Sequence, residues 1–293
     1  MVHYARPVSL DEALALAGAE RWKVLAGGTD FYPAQGTRPV TENILDINGL
    51  AELRGISDTA AHIVIGARTT WTDIVRAELP PAFGALQQAG REVGSIQIQN
   101  TGTIAGNLCN ASPAADGVPA LLVLDAEVEL RSAAATRYLP LGDFILGNRR
   151  TLLRPDELVT AVRVPKTSVA GASSFYKLGA RRYLVISIAM AAVRLTLAED
   201  GRIDTAAIAV GACSAVAQRL PDLERVLVGL HGDDVEAHVM PDHFFDVLSP
   251  IDDVRGSAGY RRAAAREIVL RAIRATLHGH SKTTAAVQQE AVA

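Results

Sequence analysis

Between Val93 and Asp116 the sequence runs VGSIQIQNTGTIAGNLCNASPAAD, without one Lys, Arg or Glu. A polar, uncharged stretch of that length is too long for a plain hairpin loop, and long loops inside compact domains are usually functional or disordered. Disorder is disfavoured because Ile96, Ile98, Ile104 and Leu108 give the segment apolar surface to bury. The chain must therefore fold around a glycine-rich loop that is itself ordered. At its centre, Asn100 to Asn107, small residues let the backbone approach a ligand closely, and Thr103 and Asn107 supply neutral donors. Several backbone N–H groups can hold a pyrophosphate with no lysine nearby. A solvent-exposed Gly/Thr loop is the competing reading of the same residues.

Composition narrows the function classes. At 293 residues the chain can bury one large core or two smaller ones, and its 49% hydrophobic and 21% charged residues are those of a globular protein. A net charge of -3, with Arg149–Arg150, Arg181–Arg182 and Arg261–Arg262 scattered along the chain, gives no footprint for nucleic acid. Two distant cysteines, Cys109 and Cys213, read as reduced thiols of a cytoplasmic protein. They also exclude an iron–sulfur cluster held by this chain alone, which normally needs four cysteine ligands. The seven histidines form no H-E-x-x-H pair, so no metal site is expected. The N-terminal MVHYARPVSL lacks the apolar core of a secretory signal, and the longest apolar run, Leu184 to Val193, is too short to span a bilayer.

Periodicity and turn signals divide the chain. Ser9 with Glu12 forms a capping box ahead of a helix through Ala13 to Leu16. Strands are expected at Lys23–Ala26, Ile44–Ile47 and His62–Ile65, and Thr72 or Asp73 opens a helix. After the polar stretch come a helix at Gly117–Leu124 and strands at Glu127–Arg131 and Val159–Val164. Lys166 to Gly171 reads as a linker. Beyond it, strands Phe175–Leu178, Leu184–Leu197 and Ile203–Gly211 are expected, the last two joined at Glu199–Asp200–Gly201. Helices follow over Leu223–Leu230, Val235–His238 and Ala258–His278, and the last fourteen or so residues read as a mobile tail. The result is an α+β nucleotide-binding region to about residue 168, then a sheet-plus-helices domain.

Neither G-x-G-x-x-G nor G-x-x-x-x-G-K-[ST] occurs, so a bound nucleotide needs another device. Besides the polar stretch, Val24–Leu25–Ala26–Gly27–Gly28–Thr29–Asp30 is a candidate. Adjacent glycines after a strand allow positive φ and let successive N–H groups converge on an anion. The alternative is a tight strand-ending turn. Asp116 is either a helix N-cap, with Pro119 in the first turn, or a carboxylate for ribose hydroxyls. Lys177 is either an exposed-face residue with a snorkelling stem or a cation at a cofactor edge.

Three ordered motifs carry a resemblance: L-A-G-G-T-D at 25–30, G-S-x-Q-I-x-N-x-G-T-I-x-G-N at 94–107 and A-S-P-A-A-D at 111–116. With Y-A-R-P-x-S-L-x-E-A at 4–13, R-P-x-E-L-V at 154–159 and Y-K-L-x-x-R-R at 176–182, the chain resembles the FAD-binding medium subunit of molybdenum hydroxylases, over nearly its whole length to about residue 278. That family includes the flavin subunits or domains of xanthine dehydrogenase and aerobic carbon-monoxide dehydrogenase.

The resemblance implies a vanillyl-alcohol-oxidase-type (PCMH-type) FAD-binding domain over 1–168, in two α/β lobes of about 1–57 and 58–168. A C-terminal domain of the carbon-monoxide dehydrogenase flavoprotein type follows over 171–279, with 280–293 left as the tail. Residues implied around the FAD pyrophosphate are Val24, Leu25, Ala26, Gly27, Gly28, Thr29, Asp30 and Phe31 on one side. Gly102, Thr103, Ile104, Ala105, Gly106 and Asn107 lie on the other. Asp116 matches the family's acidic contact on the adenosine side, and Val159 and Lys177 match residues near the isoalloxazine. Val93 falls where some members carry an aromatic ring near the flavin. The family's T-I-G-G-N is T-I-A-G-N here, and if Ala105 needs positive φ the substitution costs roughly 1 kcal/mol.

The resemblance further implies an electron-transfer subunit with no catalytic residue of its own. Electrons would come from [2Fe-2S] clusters on a small iron–sulfur subunit, fed by a molybdopterin cofactor on a large subunit, and pass through FAD to an acceptor. The assembly would be a dimer of heterotrimers. A partner interface is expected around the loops before Gly94 and after Lys177, with Arg181 and Arg182 either docking an acidic partner or serving as ordinary solvated or internal charges. A stand-alone flavin oxidoreductase of the same fold is the runner-up, ranked behind because the C-terminal region has few aromatic residues for a substrate cap. A binding module without catalysis is third.

Overall fold

The computed structural model describes residues 2–182 and 184–290, with side chains as far as 279. It divides into two compact units. The first comprises 1–77, 93–112 and 125–166, and the second 78–92, 113–124 and 167–293.

In the first unit a small parallel sheet has strand order Tyr4–Ala5, Ile44–Asp46, Lys23–Leu25, with Lys23 opposite Ile44 and Leu25 opposite Asp46. Helix Leu10–Ala19 covers it, burying Leu10, Ala13, Leu14 and Ala17 with Leu45, Ile47, Leu50 and Leu53. Ser9 caps this helix by accepting the Glu12 N–H at 3.3 Å, while the Glu12 carboxylate accepts from Val8 rather than from Ser9. The second sheet is antiparallel, in the order Ile56–Asp58, His62–Gly66, Leu158–Pro165, Glu127–Arg131, Thr136–Pro140. Leu158–Pro165 is central, so both its faces are covered, and it reads as a nearly continuous apolar run. Its register against Glu127–Arg131 shifts between Val159 and Ala161. The bulge kinks the strand next to Val159, a device that re-aims side chains at functional sites.

The bulged strand is held at its start by Glu157. This buried carboxylate accepts two hydrogen bonds from Arg137, at 2.6 and 2.8 Å, and the Arg154 N–H at 2.9 Å. Burial alone would raise its pKa, but the Arg137 and Arg154 hydrogen bonds hold the carboxyl below its ordinary value. A folded-state pKa below the unfolded one adds stability that is present above the unfolded value and lost as pH falls through the folded one. Glu157→Gln should therefore destabilise the protein by about 2 kcal/mol near neutrality. The gap between variant and wild type in urea unfolding should close below about pH 3. A gap independent of pH would contradict this.

The polar stretch is not a loop. It forms two short helices, Ile96–Thr101 and Ile104–Asn110, the second capped by Thr103. Ile104 and Leu108 are fully buried, as their apolar character requires, while Ile96 is exposed. Helix Trp71–Arg76 likewise begins earlier than expected, on a capping box made by Thr70 and Asp73.

The second unit has an antiparallel sheet in the order Ala172–Leu178, Ala189–Leu197, Ile203–Gly211, Gln218–Arg219. One core joins this sheet to the long helix Ala258–Glu290 and to helix Pro221–Leu227 through Val193, Ile208, Leu223, Val269 and Ile273. The expected strand from Leu184 begins only at Ala189. Leu184 has φ +52, and its carbonyl accepts two hydrogen bonds from Arg181, a local turn that cannot extend a ladder. Arg261 is fully buried; it donates to the carbonyls of Ile188 and Ala212 and to Asp253. Hydrogen bonds from Arg255 and then Arg261 hold Asp253 well below the usual carboxylate range. Residues 280–290 continue the last helix, and the end of the expected tail, 291–293, lies outside the described residues. Among the described residues no helix is long and apolar enough to cross a membrane, and no group of three or more His, Cys, Asp or Glu could hold a metal ion.

Candidate functional site

The first unit holds a cavity of about 500 Å³ whose walls are the two glycine turns, the bulged strand and the helix Trp71–Arg76. Strand Lys23–Leu25 runs into the first turn, where Gly28 takes φ +73, a conformation that strains any residue with a Cβ. Among the described residues, the N–H groups of Gly27, Gly28, Thr29, Asp30 and Phe31 have no hydrogen-bond partner. These five residues line the cavity. A run of unpartnered amides beside a left-handed residue is an anion-binding nest.

The second turn is committed differently. The Ile104 N–H donates to the Thr69 carbonyl at 3.0 Å, Ala105 to Ala67 at 3.2 Å, and Asn107 to Thr103 at 3.1 Å. The Gly106 N–H donates to the Thr103 hydroxyl, also at 3.1 Å. Of the amides expected to share an anion with the first turn, those of Gly102, Ile104, Ala105, Gly106 and Asn107 are therefore satisfied within the protein, and among the described residues only the Thr103 N–H is left without a partner. What this turn offers the cavity is shape and a buried polar atom, the Asn107 Oδ1, which has no partner. The two turns touch: a Cβ on Gly27 would stand 1.9 Å from the Thr101 carbonyl oxygen, so only glycine permits this approach. A Cβ on Gly106 would sit 2.8 Å from the capping Thr103 hydroxyl. Ala105 lies inside the helix without positive φ, so it carries no strain and favours the helix over glycine by roughly 0.5–1 kcal/mol.

Among the described residues no Lys, Arg or His lines the cavity, and Asp30 is the one charged side chain there. An anion bound here would be held by backbone dipoles and hydroxyls. The remaining wall is apolar, from Phe31, Ile47, Ile98, Leu153, Leu158 and Val159.

Most residues expected at the site do line it, including Val24, Ala26, Val93, Gly102 and Val159. Leu25 and Ile104 do not; both are buried core residues. Asp116 and Lys177 do not either, and belong to the second unit. There the Lys177 ammonium donates to the Asp116 carboxylate at 2.6 Å and to the Glu92 carbonyl at 3.2 Å, and the Ser187 hydroxyl donates to Asp116 at 2.7 Å. Both side chains are almost fully buried, which overturns the exposed-face reading of Lys177. Asp116 precedes the helix Gly117–Leu122 without capping it. Burial pushes its carboxyl above the ordinary value, against the opposing pull of Lys177 and Ser187. Trp71, Cys109 and Leu153 line the cavity without having been singled out. Cys109 had a signal, one helical turn beyond Ala105; Trp71 and Leu153 had none.

Residues 1–167 match the family described as the FAD binding domain in molybdopterin dehydrogenase. The chain belongs to this family. Residues 174–276 match the carbon-monoxide dehydrogenase flavoprotein C-terminal domain. The nicotine 6-hydroxylase medium subunit of Paenarthrobacter nicotinovorans is 30% identical over 93% of this chain and 96% of its own length. The glyceraldehyde dehydrogenase medium chain of Sulfolobus acidocaldarius is 31% identical, over 92% of this chain and 96% of its own length. Among solved structures, carbon monoxide dehydrogenase from Hydrogenophaga pseudoflava superposes with a TM-score of 0.83 at 30% identity, covering 94% of this chain and 96% of that one. Membership of the molybdopterin dehydrogenase family makes the chain an FAD-binding subunit of an oxidoreductase, with the α+β fold that its motifs implied. The unpartnered amide run and the Gly27 contact are features that an FAD pyrophosphate fits.

Proposed function

We propose that this chain is the electron-transferring FAD subunit of a heteromeric molybdenum hydroxylase, and that the cavity between its two glycine turns carries the cofactor. The observation that carries the reading is the unpartnered amide run Gly27 to Phe31 beside a cavity that, among the described residues, no cationic side chain lines. Five unpartnered N–H dipoles beside a cavity favour a group with charge on adjacent phosphates and need no lysine to do so. Gly102, Thr103, Gly106 and Asn107 close the second side, with Ala105 and Ile104 keeping their helix rigid. Val159 and Val93 supply apolar contact, and the bulge fixes where Val159 stands.

Bound FAD supplies one- and two-electron redox chemistry; the protein orients it and excludes water. The two cysteines, Cys109 and Cys213, are both free, and they cannot ligate a cluster between them. The electrons therefore reach this chain from [2Fe-2S] clusters on a small iron–sulfur subunit, supplied by a large molybdopterin-binding subunit, and leave for a separate acceptor. The complex is a dimer of heterotrimers working in the reducing cytoplasm. Asp116 and Lys177 are bonded to each other in the second unit, so they cannot mark opposite ends of one FAD, and neither is given a place at the cofactor.

Denaturing the purified protein should release FAD and not FMN, as read by chromatography of the supernatant. FMN has no pyrophosphate to occupy the amide run, so recovery of FMN alone would overturn the reading.

A further inference from the structure

Asn48 is bonded to the first turn and to Arg68, and it is not among the residues that line the cavity. Its side-chain N–H donates to the Ala26 carbonyl at 2.8 Å, immediately before the unpartnered amides begin. Its own backbone N–H donates to the Asp46 carboxylate at 2.9 Å, which also accepts from the Tyr4 hydroxyl at 2.6 Å. The Asn48 Oδ1 accepts from Arg68 at 3.4 Å, and Arg68 donates to the Leu50 carbonyl at 2.6 Å. On either side of Arg68, the carbonyls of Ala67 and Thr69 receive the first two N–H groups of the second turn's helix. The segment 67–69 thus grips the second turn through its backbone and the first through Arg68 and Asn48.

We propose that Asn48 is a positioning residue for the cofactor: braced by Arg68, its amide fixes the Ala26 carbonyl and so aims the amide run Gly27 to Phe31. This rests on the assignment of that run to the FAD pyrophosphate. The oxygen at Ala26 and the N–H of Gly27 belong to one planar peptide, so holding the first sets the direction of the second. Asn48 touches no ligand; it acts through that peptide.

The test is titration of the flavin-free full-length chain with FAD, ADP and riboflavin. ADP carries the pyrophosphate without the flavin, and riboflavin the reverse. Asn48→Asp keeps the shape but replaces the donor with a carboxylate facing the Ala26 oxygen. It should weaken FAD and ADP alike, by about tenfold or more. Riboflavin binding and the melting temperature of the unliganded chain should be unchanged. Arg68→Met leaves the donor unbraced and should give a smaller loss with the same ligand pattern; it serves alone if Asn48→Asp does not fold. Equal losses for riboflavin, or none for ADP, would overturn the role of Asn48. A wild-type chain that binds FAD no more tightly than riboflavin would instead sink the pyrophosphate assignment, and the proposal with it.

Discussion

Gly27→Val should leave the purified chain without its yellow colour. A Cβ at this position would stand 1.9 Å from the Thr101 carbonyl oxygen and 2.6 Å from its carbon. Both are backbone atoms, and no side-chain rotation relieves the overlap. The turns must separate by about an ångström or more before normal contact is restored. Overpacking of this severity costs about 3 kcal/mol, and if it falls on the cofactor-bound form FAD affinity drops by about 150-fold. Gly201→Ala is the control. Gly201 has φ +82 at the tip of a hairpin, with nothing within 4 Å of where a Cβ would go. That substitution should cost roughly 1 kcal/mol of stability with flavin fully retained. The comparison is read as flavin absorbance per protein after purification, alongside thermal melts. Full flavin occupancy in Gly27→Val would show that the contact between the turns does not shape the site.

The second large effect is expected at the Asp116–Lys177 pair. The two side chains are 8% and 7% exposed, so removing either partner leaves a charge that water cannot reach. Lys177→Met should destabilise the protein by about 3–5 kcal/mol near neutral pH, because a buried ion loses its counter-ion. The deficit should vary with pH in a definite sense. Burial already raises the Asp116 carboxyl in the folded protein, and removing Lys177 takes away a group that lowers it. An acid whose folded pKa lies above its unfolded value binds its proton more tightly when folded, so its contribution to stability is present at low pH and lost as pH rises through the folded value. The deficit of Lys177→Met should therefore grow with pH and shrink on acidification, as urea unfolding at several pH values would show. The double variant Asp116→Leu, Lys177→Met should recover much of the loss, because apolar replacements strand no charge. A deficit that ignores pH, or a double variant worse than both singles, would contradict this account.

How much of this was legible in the sequence depends on whether the governing interaction is local. The first glycine turn was legible, because a strand followed by Gly27–Gly28 has few other outcomes and Gly28 does take positive φ. Ser9 was recognisable as a cap, though the partner of Glu12 shifted by one residue. From its own residues the polar stretch suggests a loop, because its Gly, Asn and Ser favour caps and turns. What made it helical was tertiary: Thr69 and Ala67 offer carbonyls to the first helical N–H groups, and burial claims Ile104 and Leu108. The same tethering explains why the two turns contribute unequally to the cavity. Asp116 and Lys177 are 61 positions apart, and nothing in either neighbourhood announces that they pair. Arg261 looked like one of several scattered basic residues, yet it is fully buried because three acceptors converge on it from distant segments. The motifs point to the residues around the cavity; their hydrogen bonds decide which of them have groups to spare.

The most direct test of an electron-relay subunit is anaerobic addition of the holoenzyme's substrate, followed by the flavin's visible absorbance. The tagged chain is purified alone and together with the partner subunits it recruits when co-expressed with its neighbouring genes. The account predicts that substrate bleaches the flavin in the complex, where iron, labile sulfide and molybdenum are present, and leaves the flavin of the isolated chain oxidised. Bleaching of the isolated chain by the same substrate would contradict it and make the protein a flavin oxidoreductase in its own right.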